Sequence, residues 1–500
     1  MKKITLYDPI PDMIPDPLPL PTELLAIASL LDKDYEIKIF DFRSDKEEVI
    51  KQAKESICFG LTCLTGLQIS DGLEVAKAVR KANPKVPLVW GGWHPSLLPE
   101  QTIKNEYVDI IVRGQGERTF YELVKAIDKG KSLKEIKGIT YKKDGKILHN
   151  IDRPLEDLNN FPRLPYYLVD VNRYINKTDF GKRTMTYVSS RGCPYNCAFC
   201  ADPALYHRRW FTLDTKRVLD DLNFLKKKYN IDSVYFPDNN FFVSEKRVVE
   251  IAKGLTKLGL RWGNVAGRVD NFLRFSEETW KVFEKSRLHS LSIGGESGID
   301  EIQKWIDKRI NVEEIVKLYG LVKKYNIGML GSFVIGFPHK KYGVKEQFNE
   351  TLNLMYRIWK INPSGSRFWL FVYQPYPQNP LFDKSKEFGF VPPDSFEEWA
   401  SFGQFETNVP WVNKKYSKLV RQVRFYFRVA SGTISNNLMS YPTPFRQFLG
   451  ISEYLFRRSI GFRLKRRIFA FPIEYHLLSF VANTTKKFVE NEKKNVVKYE

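Results

Sequence analysis

Short apolar runs and helical patterns alternate along two separate stretches of this chain, and this alternation limits the folds open to it. In residues 1–150 the strand-like runs are Ile4–Tyr7, Ile37–Phe40, Ile57–Leu61, Val86–Trp90 and Ile110–Val112. Helical patterns lie between them, such as the one formed by Phe120, Leu123, Val124 and Ile127. Strands that alternate with helices form a parallel sheet covered on both faces. We therefore predict an α/β domain with a doubly wound parallel sheet in residues 1–150.

Glycine-rich loops follow the last two of these strands. Gly91–Pro95 (GGWHP) follows the fourth strand, and Gly114–Glu117 (GQGE) follows the fifth. Glycine permits tight turns and a close approach of the backbone to a ligand. In doubly wound sheets ligands bind at the carboxyl ends of the strands, so we expect a ligand at these loops. A hairpin turning at Asp144-Gly145 closes the domain, and residues 151–183, with prolines spaced from Pro154 to Pro165, form a linker.

The strand–helix unit repeats six times in residues 184–390. The strand-like segments begin near Thr186, Ser233, Gly263, Ser290, Gly328 and Arg367. Amphipathic helices separate them, and Asn311 with Glu314 resembles a capping box that opens one of these helices. Six such units predict a partial (β/α)6 barrel, whose active site would lie at the carboxyl ends of its strands.

Three cysteines follow the first strand of the predicted barrel. Cys193, Cys197 and Cys200 have the spacing C-x3-C-x2-C. Three thiolates can hold three irons of a four-iron cluster and leave the fourth iron open, whereas an electron-transfer cluster is usually held by four cysteines. An open metal position is what a site needs to bind and transform a ligand.

Other uses of the cysteines fit the sequence less well. The chain has five cysteines, an odd number, and no visible signal peptide, which disfavours a disulfide framework and favours the cytosol. A zinc site would need a fourth ligand, for which His207 is the nearest candidate. The other two cysteines, Cys58 and Cys63, flank an apolar strand and are expected to be core thiols.

Positive charge is concentrated at the carboxyl end of the chain. The net charge is +21, and residues 411–500 hold 18 lysines and arginines against five glutamates. Residues 391–500 lose the strand–helix alternation and are predicted to be mainly helical. Within them, 454–471 interleaves apolar and basic residues, which suits either a helix lying on an anionic membrane or a cap on the barrel. No apolar run reaches the length of a membrane span.

The chain resembles the radical SAM enzymes that carry an N-terminal cobalamin-binding domain. The resemblance runs over residues 1 to about 390 and rests on the three cysteines, GGWHP, VRGQGE at 112–117, and later motifs at strand ends. It implies a 4Fe-4S cluster on Cys193, Cys197 and Cys200, with S-adenosylmethionine (SAM) on the open iron. The later motifs imply SAM contacts by Phe199, Asp238 (ammonium), Arg268 (carboxylate), Glu296 and Ser297 (ribose), and Ile335 and Gly336 (adenine).

The resemblance also implies a cobalamin site, with one departure from methyl-carrier domains. Their D-x-H-x-x-G motif is missing, because Gly92 stands where the aspartate would precede His94. Relatives of this class bind cobalamin without a histidine ligand or have lost the cofactor. The residues expected at cobalamin are Gly91, Gly92, His94, Gly114 and Gly116.

The function implied is reductive cleavage of SAM, hydrogen abstraction from an unactivated carbon, and methyl transfer from cobalamin. The rival is radical cyclisation, rearrangement or carbon–carbon coupling of a lipid, isoprenoid or tetrapyrrole. A tRNA methylthiotransferase would need a second cluster, for which Cys58 and Cys63 are too few. A cobalamin sensor would not need the three-cysteine loop. The expected partners are a small-molecule or lipid substrate, an external electron donor and an anionic membrane surface, but not nucleic acid; no catalytic acid or base is assigned.

Overall fold

The structure is a computed structural model, and it describes residues 1–13, 17–403, 407–431, 456, 458–469 and 472–477. Two α/β units follow each other along the chain, as the alternation predicts. In the first unit the strands are β1 Lys3–Asp8, β2 Glu36–Asp41, β3 Phe59–Thr62, β4 Leu88–Gly91, β5 Ile110–Val112, β6 Ile139–Lys143 and β7 Lys146–His149. Its helices are α1 Thr22–Ala28, α2 Lys46–Lys54, α3 Leu67–Ala82, α4 Trp93–Leu97, α5 Pro99–Thr102 and α6 Gly116–Asp128.

These strands form one sheet in the order β2-β1-β3-β4-β5-β6-β7. The first five are parallel, and the β6–β7 hairpin adds antiparallel strands at one edge, turning at Asp144 and Gly145 as predicted. The order reverses between β1 and β3, which is the switch point where such sheets bind ligands. Cys58 and Cys63 are fully buried in the two cores that cover the sheet, which confirms them as core thiols.

The second unit contains the predicted barrel. Its strands are β8 Asn176–Thr178, β9 Gly181–Thr186, β10 Ser190–Gly192, β11 Trp210–Thr212, β12 Ser233–Tyr235, β13 Arg261–Gly263, β14 Val265–Gly267, β15 Ser290–Glu296, β16 Gly328–Ile335 and β17 Ser366–Val372. Its helices are α7 Asp202–Tyr206, α8 Thr215–Tyr229, α9 Glu245–Leu258, α10 Val269–Arg274, α11 Glu277–Lys285, α12 Asp300–Trp305, α13 Val312–Lys324, α14 Val344–Ile361, α15 Pro380–Lys386 and α16 Lys414–Ala430. Single 3₁₀ turns occur at Leu158–Asn160, Tyr166–Leu168, Val171–Tyr174, Phe241–Val243 and Glu398–Ser401.

Six parallel strands form the open barrel, in chain order β9, β12, β13–β14, β15, β16 and β17. The third strand is broken at Asn264, whose φ is +56°. A bridge between Trp262 and Leu288 continues the parallel order across that break. The first strand ends at Thr186 instead of beginning there, so the predicted boundary at 184 falls inside it. The sequence pattern does not reveal the start of this strand, because its first residues are polar and pair with β8 in a hairpin.

The carboxyl-terminal residues do not form a separate domain where the structure describes them. Phe390, Phe396, Trp399 and Phe402 pack back into the core of the first unit. Helix α16 buries its apolar face in the barrel core, as a cap would. In the helical residues 458–466, Ile460 and Leu464 are also buried in that core. Much of the predicted basic stretch at 454–471, including Arg458 and Phe462, is described, whereas 454, 455, 457, 470 and 471 lie outside the described residues.

No helix within the described ranges is both long enough and apolar enough to cross a membrane.

Candidate functional site

The three cysteines lie on a loop that leaves the barrel at the carboxyl end of its first strand. The loop is closed by the antiparallel pair β10 and β11, in which Gly192 opposes Trp210. Its middle is fixed where the Ala198 amide donates to the carbonyl of Ile306 at 2.8 Å. This is the position that the barrel geometry predicts for Cys193, Cys197 and Cys200.

Asp238 holds the start of this loop through hydrogen bonds. Its carboxylate accepts from the Ser189 amide at 2.9 Å and from the hydroxyls of Ser189 and Ser190 at 2.6 Å each. Arg247 donates to the carbonyl of Ser189, one of the two serines bonded to Asp238, at 3.0 Å. Burial raises the pKa of Asp238, and its side chain is 3% exposed. The structure therefore places Asp238 behind the cysteine loop and not in an open space where it could meet an ammonium group.

Two of the thiols face nitrogen donors. The Asn240 amide lies 3.6 Å from the Cys193 sulfur, and the Arg268 guanidinium donates to the Cys197 sulfur at 3.3 Å. Burial raises the pKa of Cys200 to about 12, so this thiol stays protonated unless a metal takes the proton's place.

His207 does not join the three thiols in one group. Within the described part of the chain no group of three or more His, Cys, Asp or Glu side chains is placed to hold a single metal ion. His207 is exposed at the end of α7. A 4Fe-4S cluster needs each thiolate on a different iron, and donors to the thiolates stabilise their charge.

Lys308 and Glu296 form a buried ion pair next to this loop. The Lys308 ammonium lies 2.6 Å from the Glu296 carboxylate, and the side chains are 9% and 7% exposed. Glu296 lies at the end of β15, where the strand register shifts and its φ is +50°. The same ammonium lies 5.8 Å from the ring centre of Phe199. The structure thus brings Phe199, Arg268 and Glu296 together around the cysteines, and it adds Lys308 to them.

The other predicted SAM residues are near the loop but already bonded. Ser297 is 1% exposed, and its hydroxyl accepts from the Ile299 amide at 3.2 Å. Gly336 donates to Gln347 at 2.9 Å and accepts from the Trp411 indole at 2.8 Å. Ile335 is fully buried. On this side the half-buried ring of Phe199 packs against Phe337, which contacts Tyr373, and the last two rings belong to a buried core cluster.

A cavity of about 390 Å³ separates the two units and has walls from both. On one side are the carboxyl ends of β1, β3, β4 and β5, with Gly91, Gly92, Gly114 and Gly116. On the other side are residues next to the cysteines, such as Ser190, Arg191 and Tyr206. The cavity lies at the switch point of the sheet, and four of the five predicted cobalamin residues line it.

Gly114 leaves room for a ligand in this cavity. Gly114 has a φ of +68°, and a side chain added there would meet no atom within 4 Å, so it would project into free space. The cavity wall also carries the carboxyl groups of Asp8, Glu23 and Asp41. Burial and the charges of Glu23 and Asp41 raise the pKa of Asp8 to about 8. The Asp8 carboxyl is therefore mostly protonated at pH 7 and offers a ligand both a donor and an acceptor, while the Asp41 carboxylate is already bonded to Arg43 and Tyr174.

His94, the fifth predicted residue, does not line the cavity. It is fully buried, and its ring packs at 5.3 Å from Phe396 and 5.7 Å from Trp399, measured between ring centres. Its Nδ1 bonds to the Thr65 hydroxyl at 2.9 Å. Burial lowers the pKa of His94 to about 3. The prediction of a cofactor contact by His94 is not supported by this position, because the returning segment at 390–402 covers the ring.

Sequence reasoning missed two charged groups that join the site. Arg191 reaches from the cysteine loop to Glu117 of the other unit. Lys308 is buried beside the thiols. In the sequence it lies in a charged Asp-Lys-Arg run, which is typical of a solvent-exposed segment. Arg191 could have been found, because it stands two residues before the first cysteine. Lys308 carried no such signal.

Comparisons with known protein families agree with the two units. The B12 binding domain family matches residues 19–124, and the radical SAM superfamily matches residues 187–354. An uncharacterized methyltransferase of Pyrococcus horikoshii is 30% identical over 420 residues, which cover 82% of this chain and 88% of that protein. The anaerobic magnesium-protoporphyrin IX monomethyl ester cyclase of Rubrivivax gelatinosus is 29% identical over 330 residues, 64% of this chain and 57% of that one.

A solved structure shares the whole arrangement. The cobalamin-dependent SAM radical enzyme OxsB, with aqua-cobalamin and SAM bound, matches with a TM-score of 0.70 at 19% identity. The match covers 97% of this chain and 75% of that chain. The order of a doubly wound sheet, a partial barrel and a helical end is therefore a known fold.

Proposed function

Because this chain belongs to the radical SAM enzymes that carry an N-terminal B12-binding domain, we propose that it methylates an unactivated carbon of its substrate. Its cofactors are a 4Fe-4S cluster, SAM and cobalamin. When bound, these groups together supply a radical that removes hydrogen from the substrate and a methyl group that replaces it. The protein orients them and excludes water.

Each group has residues that suit it. Cys193, Cys197 and Cys200 would hold the cluster. The half-buried ring of Phe199, next to Cys200, would pack against the adenine of SAM. The cavity between the units would hold cobalamin, whose ring carries amide side chains that can donate to the carboxyl groups on the wall.

The cavity shared by both units is the observation that carries this proposal. A ligand seated on Gly91 and Gly114 would also touch Ser190 and Arg191, which lie three and two residues before Cys193. A methyl carrier and a radical source would then face the same enclosed space. Such closeness replaces a bimolecular encounter by a fixed geometry.

The test begins with anaerobic purification of the full chain and assay of its iron and corrinoid. The reconstituted protein is then reduced in the presence of SAM, and 5′-deoxyadenosine and S-adenosylhomocysteine are measured. We expect both products. Cys197→Ala should abolish 5′-deoxyadenosine, while Cys58→Ala, in the core of the other unit, should retain it.

The two products separate the parts of the proposal. Failure to form 5′-deoxyadenosine with intact iron would refute the radical step. Formation of 5′-deoxyadenosine without corrinoid or S-adenosylhomocysteine would refute methyl transfer. This second outcome would favour a radical cyclisation, rearrangement or coupling, which the 29% identity to a magnesium-protoporphyrin cyclase supports as the alternative.

A peripheral contact with an anionic membrane is a separate part of the proposal. In the helical residues 458–466, Arg458, Lys465 and Arg466 are exposed on the same side as Phe462, which is 57% exposed. This spacing puts a ring between basic groups on one face of the helix, as in helices that lie in a membrane interface.

Flotation with vesicles of anionic and of neutral lipid tests the contact. Substituting Arg458, Phe462 and Lys465 by serine should reduce binding to anionic vesicles. The same number of serines on α8, at Lys216, Lys227 and Lys228, is the control. Equal flotation of both variants and the wild type would refute a contact through this face.

A further inference from the structure

The strongest feature that the proposed function leaves unused is the contact between Arg268 and Cys197. Arg268 stands at the end of the third barrel strand, and its side chain is 6% exposed. Its Nη1 donates to the Cys197 sulfur at 3.3 Å. A guanidinium is always charged in proteins, so this is a charge-assisted hydrogen bond to a thiolate once iron is bound.

The guanidinium is fixed on every side that the structure describes. Its Nε donates to Asp270 at 2.9 Å, and its Nη2 donates to the Lys308 carbonyl. Its face lies on the Tyr195 ring, 3.9 Å from the ring centre. A side chain held by three partners and a ring cannot turn toward a new ligand without breaking buried bonds.

Arg268 shares its carboxylate partner, Asp270, with a second cation. Asp270 faces one edge of the guanidinium and is 22% exposed, so water weakens its field. Asp270 also contacts Arg274 at 3.6 Å. The nearby Lys308 is paired with Glu296 and adds little net charge. The charged group that contacts the Cys197 sulfur is thus the Arg268 guanidinium, which Asp270 offsets only in part.

We propose that Arg268 is a positioning residue for the cluster, which donates to the Cys197 sulfur and raises the reduction potential of the 4Fe-4S centre. The inference rests on the proposed function, since it needs the cluster. Reduction adds one negative charge to the cluster, so a fixed donor and cation stabilise the reduced form more than the oxidised form. Hydrogen bonds to the sulfurs are among the factors that set the potentials of such clusters.

The assignment differs from the sequence expectation in a measurable way. If Arg268 paired with the carboxylate of SAM, its loss would weaken SAM binding and leave the potential of the SAM-free cluster unchanged. If it serves Cys197, its loss shifts that potential and leaves SAM affinity close to that of the wild type.

The experiment is a redox titration of the reconstituted full chain without SAM, followed by electron paramagnetic resonance. Arg268→Gln should hold the same iron as the wild type and titrate at a more negative midpoint potential. Arg268→Lys should fall between them, since it keeps the charge but loses the planar donor. Arg357→Gln is the control, because Arg357 is 49% exposed and pairs with Glu313 on the neighbouring helix, so it should leave the potential unchanged.

Asp270→Asn keeps the test decisive if Arg268→Gln loses its cluster. This change keeps Arg268 and removes the carboxylate that offsets its charge, so the midpoint potential should become more positive. In that case Arg268→Lys supplies the negative shift, and opposite shifts of Arg268→Lys and Asp270→Asn exclude a general loosening of the loop.

The outcomes separate this inference from the proposed function. If the wild type loads no cluster, the proposed function fails. If the wild type loads and cleaves SAM but the potentials of Arg268→Gln and Asp270→Asn equal its own, only the role of Arg268 is refuted. Lower SAM affinity of Arg268→Gln at an unchanged potential would assign Arg268 to SAM.

Discussion

Arg191 donates to Glu117 at 2.7 Å and so joins the cysteine loop of the barrel to the first turn of α6 in the other unit. The side chains are 23% and 4% exposed. The second carboxylate oxygen of Glu117 is buried and has no hydrogen-bond partner among the described residues. The pair therefore bridges the two walls of the cavity, and Glu117 depends on Arg191 for the stability of its charge.

Glu117→Gln should lower the stability of the protein, because it replaces a charged hydrogen bond across the unit boundary by a neutral one. We expect a loss of roughly 2 kcal/mol, seen as a lower thermal midpoint. Asp220→Asn removes the pair of Asp220 with Lys216, whose side chains are 57% and 90% exposed, and should change little. An equal drop in the thermal midpoint of both variants would show that the Arg191–Glu117 pair stabilises the protein no more than the exposed Lys216–Asp220 pair does.

Gly114→Asn should weaken corrinoid binding by about tenfold or more, or about 1.4 kcal/mol. Asparagine tolerates the positive φ of this position, so the main effect is a side chain projecting into the cavity. Gly130→Asn is a matched control, since Gly130 has a φ of +61° and equally open surroundings but lies outside the cavity. Both variants should melt alike, and corrinoid titration should distinguish them. Equal corrinoid affinity would show that the ligand does not sit on Gly114.

The sequence predicts the parts of this fold that depend on local periodicity. The runs at Ile4–Tyr7 and Ile110–Val112 become strands because they are short, apolar and bounded by polar turns. The capping box at Asn311 and Glu314 forms as predicted, because both of its bonds are local.

Local sequence patterns cannot predict contacts between residues that lie far apart along the chain. His94 looks like a ligand in its own loop, yet Phe396 and Trp399, some 300 residues later, cover its ring. The sequence around Lys308 predicts a charge on the surface, but Lys308 is buried and paired with Glu296. These outcomes depend on tertiary packing, which no local pattern records.

Asp238→Asn should lower the iron content of the reconstituted protein. An amide cannot accept all the bonds that the carboxylate takes from Ser189 and Ser190, so the base of the cysteine loop would loosen. Asp232→Asn is the control, because Asp232 also accepts two amides, from Lys182 and Arg183, at the amino end of the barrel strands. Full iron content with weaker SAM binding in Asp238→Asn would instead assign Asp238 to the SAM ammonium.

His94 should make the protein sensitive to acid. In an unfolded chain a histidine takes up a proton near pH 6.5, whereas burial lowers the pKa of His94 to about 3. Between these values the unfolded state binds the extra proton, so the stability contributed by His94 falls as the pH falls. At two pH units below 6.5 the loss is roughly 2.7 kcal/mol.

His94→Phe should remove this dependence. At pH 7.5 the variant should be no more stable than the wild type, since Thr65 loses its partner. As the pH falls to 4.5, the free energy of unfolding of the variant should rise relative to that of the wild type by roughly 2–3 kcal/mol, measured by urea unfolding at each pH. His207→Asn, at an exposed turn, should show no such gain. Corrinoid content should stay at the wild-type level, because the His94 ring lies outside the cavity wall, and a loss of corrinoid would return His94 to the cobalamin site.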